Sequence, residues 1–287
     1  MSFPPQIFLI GSQKGGTTYL ANLLGQHPDI CLAEPKEPDF FTQHWDKGIS
    51  WYQERFKHCN APLLLDASPS YSAAPLPCFG SNSSIPSRMA GVPARIKSVS
   101  PDAKFIYLLR EPVKRTYSSY WHNVRGGYEK LPFREAIDKN SYYLRMGHYY
   151  EQIQLYFEFF KPEDFLILLF EDFISAPQAT ANKCFKFLGL HEFNDFALEK
   201  GKNQSFGYAP FLNRINQRLA SFGGLNKLAK SIKPMLPEIA VEALSKMVTR
   251  KIPPISIDDK NYLSDYFKDK NALLSERLGI SLDKWKT

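Results

Sequence analysis

The chain has 287 residues, enough for one large domain or two small ones and for a core that needs no disulfide or metal to hold it. Its residues are 44% hydrophobic, 23% charged and 14% aromatic, a balance that excludes an intrinsically disordered protein. The 36 basic and 29 acidic side chains leave a net +7, which excludes an acidic solvating chain and points to an anionic partner such as a phosphate, a nucleotide, a polyanion or a membrane surface.

In chain order, the short apolar run 7–10 reads as a buried strand, and the glycine-bearing loop 11–16 follows it. Residues 17–26 place Leu20, Leu23 and Leu24 at helical spacing, and His27-Pro28 ends that helix. Strand, glycine loop and helix together form the opening unit of an α/β fold. Further strands are expected at 63–65, 104–109 and 165–170, each a continuous apolar run suited to a parallel sheet covered on both faces. Helices are expected between them at 113–124, 133–139, 149–160 and 177–188, and the alternation implies crossover connections. Residues 75–100, rich in Pro, Ser and Gly, read as loop. From 212 to 251 the pattern turns basic and amphipathic, and Pro253-Pro254 separates it from a last helix at 258–278. The reading is a single domain over residues 1–287, with a mainly helical part from 212 onward.

Cys31, Cys59, Cys78 and Cys184 show no CxxC spacing, so no zinc site, redox motif or disulfide framework is expected, and a reducing compartment is. The apolar runs fall far short of the roughly 20 residues of a membrane span. Met1 leads through two prolines straight into the first strand, with no room for a signal peptide. A cytoplasmic protein is expected.

The stretch from Gly11 to Thr18 can cradle phosphate with backbone N–H groups at a helix N-terminus. Gly11 and Gly16 match the glycine spacing of the nucleoside-triphosphate loop G-x-x-x-x-G-K-[ST], but Thr17 stands where its lysine belongs and Lys14 lies inside the loop. That substitution argues against ATP or GTP hydrolysis and leaves phosphate binding open. Arg110 follows a strand, at the edge where open α/β sheets bind ligands, and Ser118 lies eight residues on in the next helix. Together they suit a second phosphate.

These residues resemble the sulfotransferases that use 3′-phosphoadenosine 5′-phosphosulfate (PAPS), with the nearest likeness to heparan-sulfate-type and bacterial members. Four blocks carry the likeness in order: IGSQKGGTT at 10–18, KEPDFF at 36–41, LREPV at 109–113 with Arg115, Tyr117 and Ser118, and FEDF at 170–173 leading to Phe187-Leu188-Gly189. GISWY at 48–52 with Phe56, SPSY at 68–71 and the ending through Gly279 to Trp285 are also similar. The resemblance implies a P-loop-like three-layer sandwich, a central parallel sheet flanked by helices with a helical C-terminal extension. It implies sulfuryl transfer from PAPS to a hydroxyl or amine of a glycan or small molecule, with the bisphosphate PAP as product and no metal.

By motif match, Lys14, Gly15, Gly16, Thr17 and Thr18 would hold the 5′-phosphosulfate, and Arg110 and Ser118 the 3′-phosphate. Lys14 would neutralise the bridging oxygen as sulfur leaves, and Glu37 would take the acceptor's proton. His122 and His148 are the alternative bases. Lys200, Gly201 and Lys202 resemble a shortened loop closing over the nucleotide, and Phe41, Tyr71 and His122 are candidate acceptor contacts. Two departures stand out: Ala67 replaces a lysine common before the Ser-Pro-Ser-Tyr block, and Cys184 is alone in the second half of the chain.

Two other function classes would show different residues. A small-molecule kinase would need a lysine at Thr17's position and a magnesium-binding carboxylate at a strand end, and neither pairing is found. A non-catalytic nucleotide- or polyanion-binding module would use Lys227, Lys230, Lys233, Lys246, Arg250 and Lys251, which are scattered as on a solvated helix face. Neither a nucleic acid nor a membrane is an expected partner.

Overall fold

The structure, a computed structural model, describes residues 6–79, 87–197, 206–208 and 249–285. The first apolar run forms β1 (Gln6–Gly11), all of it buried. Successive side chains alternate between the sheet faces: Ile7 and Leu9 enter one core layer, Phe8 and Ile10 the other. β2 (Ile30–Leu32), β3 (Leu63–Asp66), β4 (Lys104–Leu109) and β5 (Phe165–Leu169) join it in parallel, in the order β2-β3-β1-β4-β5. The expected parallel sheet between helical layers is therefore present.

Between the strands lie α1 (Thr17–Leu24), α2 (Phe40–Gln43), α3 (Gly48–Gln53) and α4 (Val92–Val99), then α5 (Pro112–Gly126), α6 (Phe133–Lys139), α7 (Tyr142–Arg145) and α8 (Tyr149–Phe157). After β5 come α9 (Phe170–Ser175), α10 (Pro177–Phe187) and, near the end, α11 (Ile257–Leu278). Leu20 and Leu24 of α1, Phe173 of α9 and Phe185 of α10 cover the face of Ile7 and Leu9. Ile96 of α4 with Ile153 and Tyr156 of α8 cover the face of Phe8. A third cluster joins α5, α6, α7 and α11 through Val113, Ile137, Tyr143, Leu263 and Phe267.

β1 and β3 are neighbours whose following helices, α1 and α4, cover opposite faces. That arrangement opens a crevice beyond their carboxyl ends, where ligands of such sheets bind.

Four expectations need correction. β2 was not anticipated; three residues on an outer strand give almost no pattern to read. Residues 75–100 are not all loop, because Val92, Pro93 and Ile96 bury one side of α4 with proline in the first turn, where its missing N–H costs nothing. Residues 249–251 form β7 (Thr249–Lys251), antiparallel to β6 (Phe206–Tyr208), rather than helix. Cys31 and Cys59 form a disulfide, while Cys78 and Cys184 are free. Linear spacing conceals that pair because the turn at Glu54–Phe56 returns beside β2, where the Glu34 N–H donates to the Arg55 carbonyl at 2.8 Å. The remainder of the basic stretch 212–248, and Lys200, Gly201 and Lys202, lie outside the described residues. Among the described residues no helix is long and apolar enough to cross a membrane.

Candidate active site

The loop after β1 is pinned to β4 from beneath. Ser12 donates to the Leu108 carbonyl twice, from its backbone N–H at 2.7 Å and its hydroxyl at 3.0 Å. Gly15 must be glycine: a Cβ there would lie 2.5 Å from Ser12 Oγ and 2.8 Å from the Leu108 carbonyl oxygen. Gly16 caps α1 with φ +89°, a left-handed conformation that glycine adopts without steric cost. The loop thus carries no side chain at Gly15 and Gly16, the Gly15 N–H closes the turn on the Ser12 carbonyl at 2.9 Å, and Lys14 supplies the loop's one ammonium.

Arg110, just past β4, donates from Nη1 to the Lys14 carbonyl at 2.8 Å. Its guanidinium also stacks 4.7 Å over the Phe170 ring, and its Nε is buried without a partner among the described residues. Burial, followed by the fields of Arg125 and Arg110, pushes the Lys14 ammonium down to about 8, with Glu37 opposing them. Lys14, Arg110 and Arg125 therefore repel one another in a setting that favours a bound anion.

α5 supplies the facing wall. It starts sharply because both Glu111 carboxylate oxygens cap it, accepting from the Val113 and Lys114 N–H groups at 2.9 and 2.8 Å, with Pro112 at its first position. Ser119 donates to Gln13 of the loop at 3.0 Å. The Ser118 hydroxyl is buried and has no hydrogen-bond partner among the described residues. Ser118, His122 and Arg125 share one helix face at i, i+4 and i+7, and that spacing is the signal that could have found Arg125.

Across the crevice, Lys36 bridges Glu37 at 2.6 Å and reaches the Thr18 hydroxyl at 3.4 Å. Glu37 is 45% exposed, open to an incoming molecule, whereas Lys36 is 16% exposed. The structure thus gathers Lys14, Thr18, Arg110 and Glu37 at one end of the sheet, with Lys36 and Arg125 added.

The other candidates fall elsewhere. Phe41 and Tyr71 are buried in the core, Phe41 packed edge-on against Phe8 and Tyr71 bonded to Asp66, so neither ring meets an acceptor. His122 stands near Lys14 but is held neutral, down to about 4, by burial and the cations Lys14 and Arg125. Its Nδ1 lies 3.1 Å from an Arg125 nitrogen that can only donate, so the ring proton sits on Nε2 and no lone pair is left for a base. His148 is buried with both nitrogens engaged, by Glu151 at 3.0 Å and Tyr266 at 2.8 Å. Among the described residues one group brings metal-ligating atoms together, Cys31, His58 and Cys59, and its two sulfurs are bonded to each other.

The orphaned Ser118 hydroxyl, the orphaned Arg110 Nε and the bare Gly15–Gly16 cradle are the features a doubly phosphorylated ligand would complete.

Comparison with known proteins agrees. Human heparan sulfate glucosamine 3-O-sulfotransferase 3B1 is 30% identical over 196 residues, 65% of this chain and 46% of that protein. Mouse bifunctional heparan sulfate N-deacetylase/N-sulfotransferase 3 is 27% identical over 311 residues, 98% of this chain and 31% of that protein. The chain spans about half the length, or less, of these curated relatives. A sulfotransferase from Alicyclobacillus acidocaldarius has the same fold, with a TM-score of 0.69 at 22% identity over 99% of this chain and 100% of that one. The family model of the sulfotransferase domain matches residues 4–206, and the chain belongs to that family.

Proposed function

We propose that the chain moves the sulfuryl group of PAPS to a hydroxyl or amine of a glycan or small molecule. One observation carries the reading: a lysine displaced into the glycine loop is clamped by Arg110 through its own carbonyl and lies in the field of Glu37, a half-exposed carboxylate paired with Lys36. PAPS supplies the sulfuryl group and departs as PAP. As the acceptor oxygen or nitrogen bonds to sulfur, the sulfur–oxygen bond to phosphate breaks and its electron pair stays on the bridging oxygen. Lys14 would neutralise that oxygen, and Glu37 would take the acceptor's proton. Arg110 and Ser118 would hold the 3′-phosphate, and the loop N–H groups the 5′ end. No step asks for a metal, because the cations are side chains.

The relatives named for heparan sulfate favour a glycan acceptor, and Ala67 in place of a lysine favours one less densely anionic. A cytoplasmic location belongs to the same proposal. The free Cys78 and Cys184 suit it and the Cys31–Cys59 disulfide opposes it, so alkylation of the denatured chain at lysis decides: four labelled cysteines support a reducing compartment, and two, with the disulfide intact in the cell, overturn it. The activity itself is tested by incubating the chain with PAPS and a panel of sugar and small-molecule acceptors. A sulfonate mass gain with stoichiometric PAP release is expected; failure to bind PAP overturns the reading.

A further inference from the structure

Asp66 ends β3 and is fully buried. Its hydrogen-bond partners are three hydroxyls: Ser68 at 2.6 Å on Oδ1, and Tyr71 at 2.7 Å and Tyr52 at 3.0 Å on Oδ2. An ionised carboxylate can only accept, so each hydroxyl gives its proton to Asp66 and turns lone pairs outward. Two of the hydroxyl oxygens accept loop amides. Ser68 Oγ accepts the Asp39 N–H at 3.0 Å, and Tyr71 Oη accepts the Phe41 N–H at 3.4 Å. Both amides belong to the segment that carries Lys36 and Glu37. That segment needs holding, since Asp39 adopts φ +51°, a left-handed conformation unusual for a residue with a side chain. Ser70 Oγ on Asp39 Oδ1 at 2.5 Å and the Ala67 N–H on the Lys36 carbonyl at 3.3 Å complete the attachment.

We propose that Asp66 is a positioning residue for sulfuryl transfer: its ionised carboxylate orients Ser68 and Tyr71 so that their oxygens accept the Asp39 and Phe41 amides, and thereby fixes Glu37 at the crevice. The proposal rests on the reading of Glu37 as the acceptor's base. A neutral side chain at this position breaks the relay, because one of its atoms becomes a donor. The hydroxyl facing that donor must turn, and its own proton then opposes a loop amide.

The relay is set to switch near neutrality. Burial pushes the Asp66 carboxyl up to about 7 against the pull of three hydroxyl donors, with the charge of Asp39 adding to the rise. The other titratable groups around it are Tyr52, Tyr71 and Tyr156, all held well above the usual phenol range by burial and therefore neutral throughout. The sign follows. The folded value lies above the unfolded one, so the carboxyl favours folding below about pH 4 and loses that contribution as pH rises through about 7. Stability then falls from about pH 4 and levels off near 7, as the relay forms and transfer rises. An acid with a merely structural role would move both in the same direction.

The test compares wild type with Asp66→Asn between about pH 5.5 and 8.5, following kcat, PAP affinity, thermal midpoint and deuterium exchange over residues 36–42 corrected for intrinsic rate. Wild-type kcat is expected to rise through about pH 7 while the midpoint falls. D66N is expected to lose about 10- to 100-fold in kcat and the limb near pH 7, since misplacement of a reacting group by about 1 Å costs that order. Its PAP affinity and midpoint should hold, and residues 36–42 should exchange faster at pH 8 and no differently at pH 6. Should D66N not fold, Ser68→Ala removes one arm alone and is expected to raise exchange at Asp39 and lower kcat. Wild-type exchange and pH profile in the variant overturn the proposal. Absence of transfer from PAPS in wild type overturns the functional reading instead, and the exchange measurement still decides the relay.

Discussion

Lys14 is a cation placed where, without a ligand, it is poorly solvated and repelled. Burial and the neighbouring Arg125 and Arg110 lower its ammonium to about 8, against the single opposing pull of Glu37. A lysine is charged below its pKa, so the lowered value brings the loss of charge into the accessible range. For free chain, kcat/KM for PAPS is expected to decline as pH rises through about 8. A bound phosphosulfate raises the ammonium again, so kcat should stay level to higher pH. Lys14→Ala should abolish that decline and reduce kcat by about 10²- to 10³-fold, the usual order for losing a group that stabilises developing charge. Steady-state rates across pH check both; a decline that survives in K14A belongs to another group. Lys14, Arg110 and Ser118 were legible in the sequence because loop, strand end and next helix are contiguous signals. The burial of Phe41 and Tyr71 was not, since a phenylalanine pair reads alike as acceptor contact and as core. Asp66 was silent for a different reason: its partners Tyr52, Ser68 and Tyr71 converge only when β3 and the turns around it pack.

At the scale of elements, the site depends on how β4 hands over to α5. Arg110 ends the strand side and Glu111 caps the helix with both carboxylate oxygens, so one residue's placement fixes the other's. Glu111→Ala would leave two helix N–H groups without their acceptors in a setting where Glu111 is only 7% exposed. The expected cost is about 1 kcal/mol, a fall in thermal midpoint of about 2–4 °C, together with a higher KM for PAPS as Arg110 loses its fixed origin. Glu111→Gln, which can still accept one N–H, should lose about half as much. Calorimetry and PAPS titration of the two variants measure this, and an unchanged midpoint in E111A refutes the capping argument. Strands β1, β4 and β5 were readable because both faces are covered and their runs are unbroken. β2 was not, being three residues at the sheet's edge, and α4 was masked by the Pro, Ser and Gly on either side of it.

Across the whole molecule, packing alone joins the two faces of the sheet to the cluster around α11, and the chain's one disulfide spans the site. The Cys31–Cys59 disulfide joins residues 28 apart and closes a loop that contains Lys36, Glu37 and Asp39. In the chain-entropy account a loop of that size stabilises the folded state by about 3–4 kcal/mol, by restricting the unfolded chain. Thiol titration of the purified, unreduced chain in denaturant should therefore find two reactive cysteines, Cys78 and Cys184, and four after reduction. In the folded chain only Cys78 should react readily, because burial holds the Cys184 thiol up to about 12. Reduction, or the Cys31→Ser/Cys59→Ser pair, should lower the thermal midpoint by several degrees. Because the disulfide anchors the far end of the Glu37 segment and the Asp66 relay its near end, reduction should also lower kcat more than it weakens PAP binding, which we assign to Lys14, Arg110 and α5. Equal loss of both would mean that the whole sheet loosens rather than the acceptor side alone.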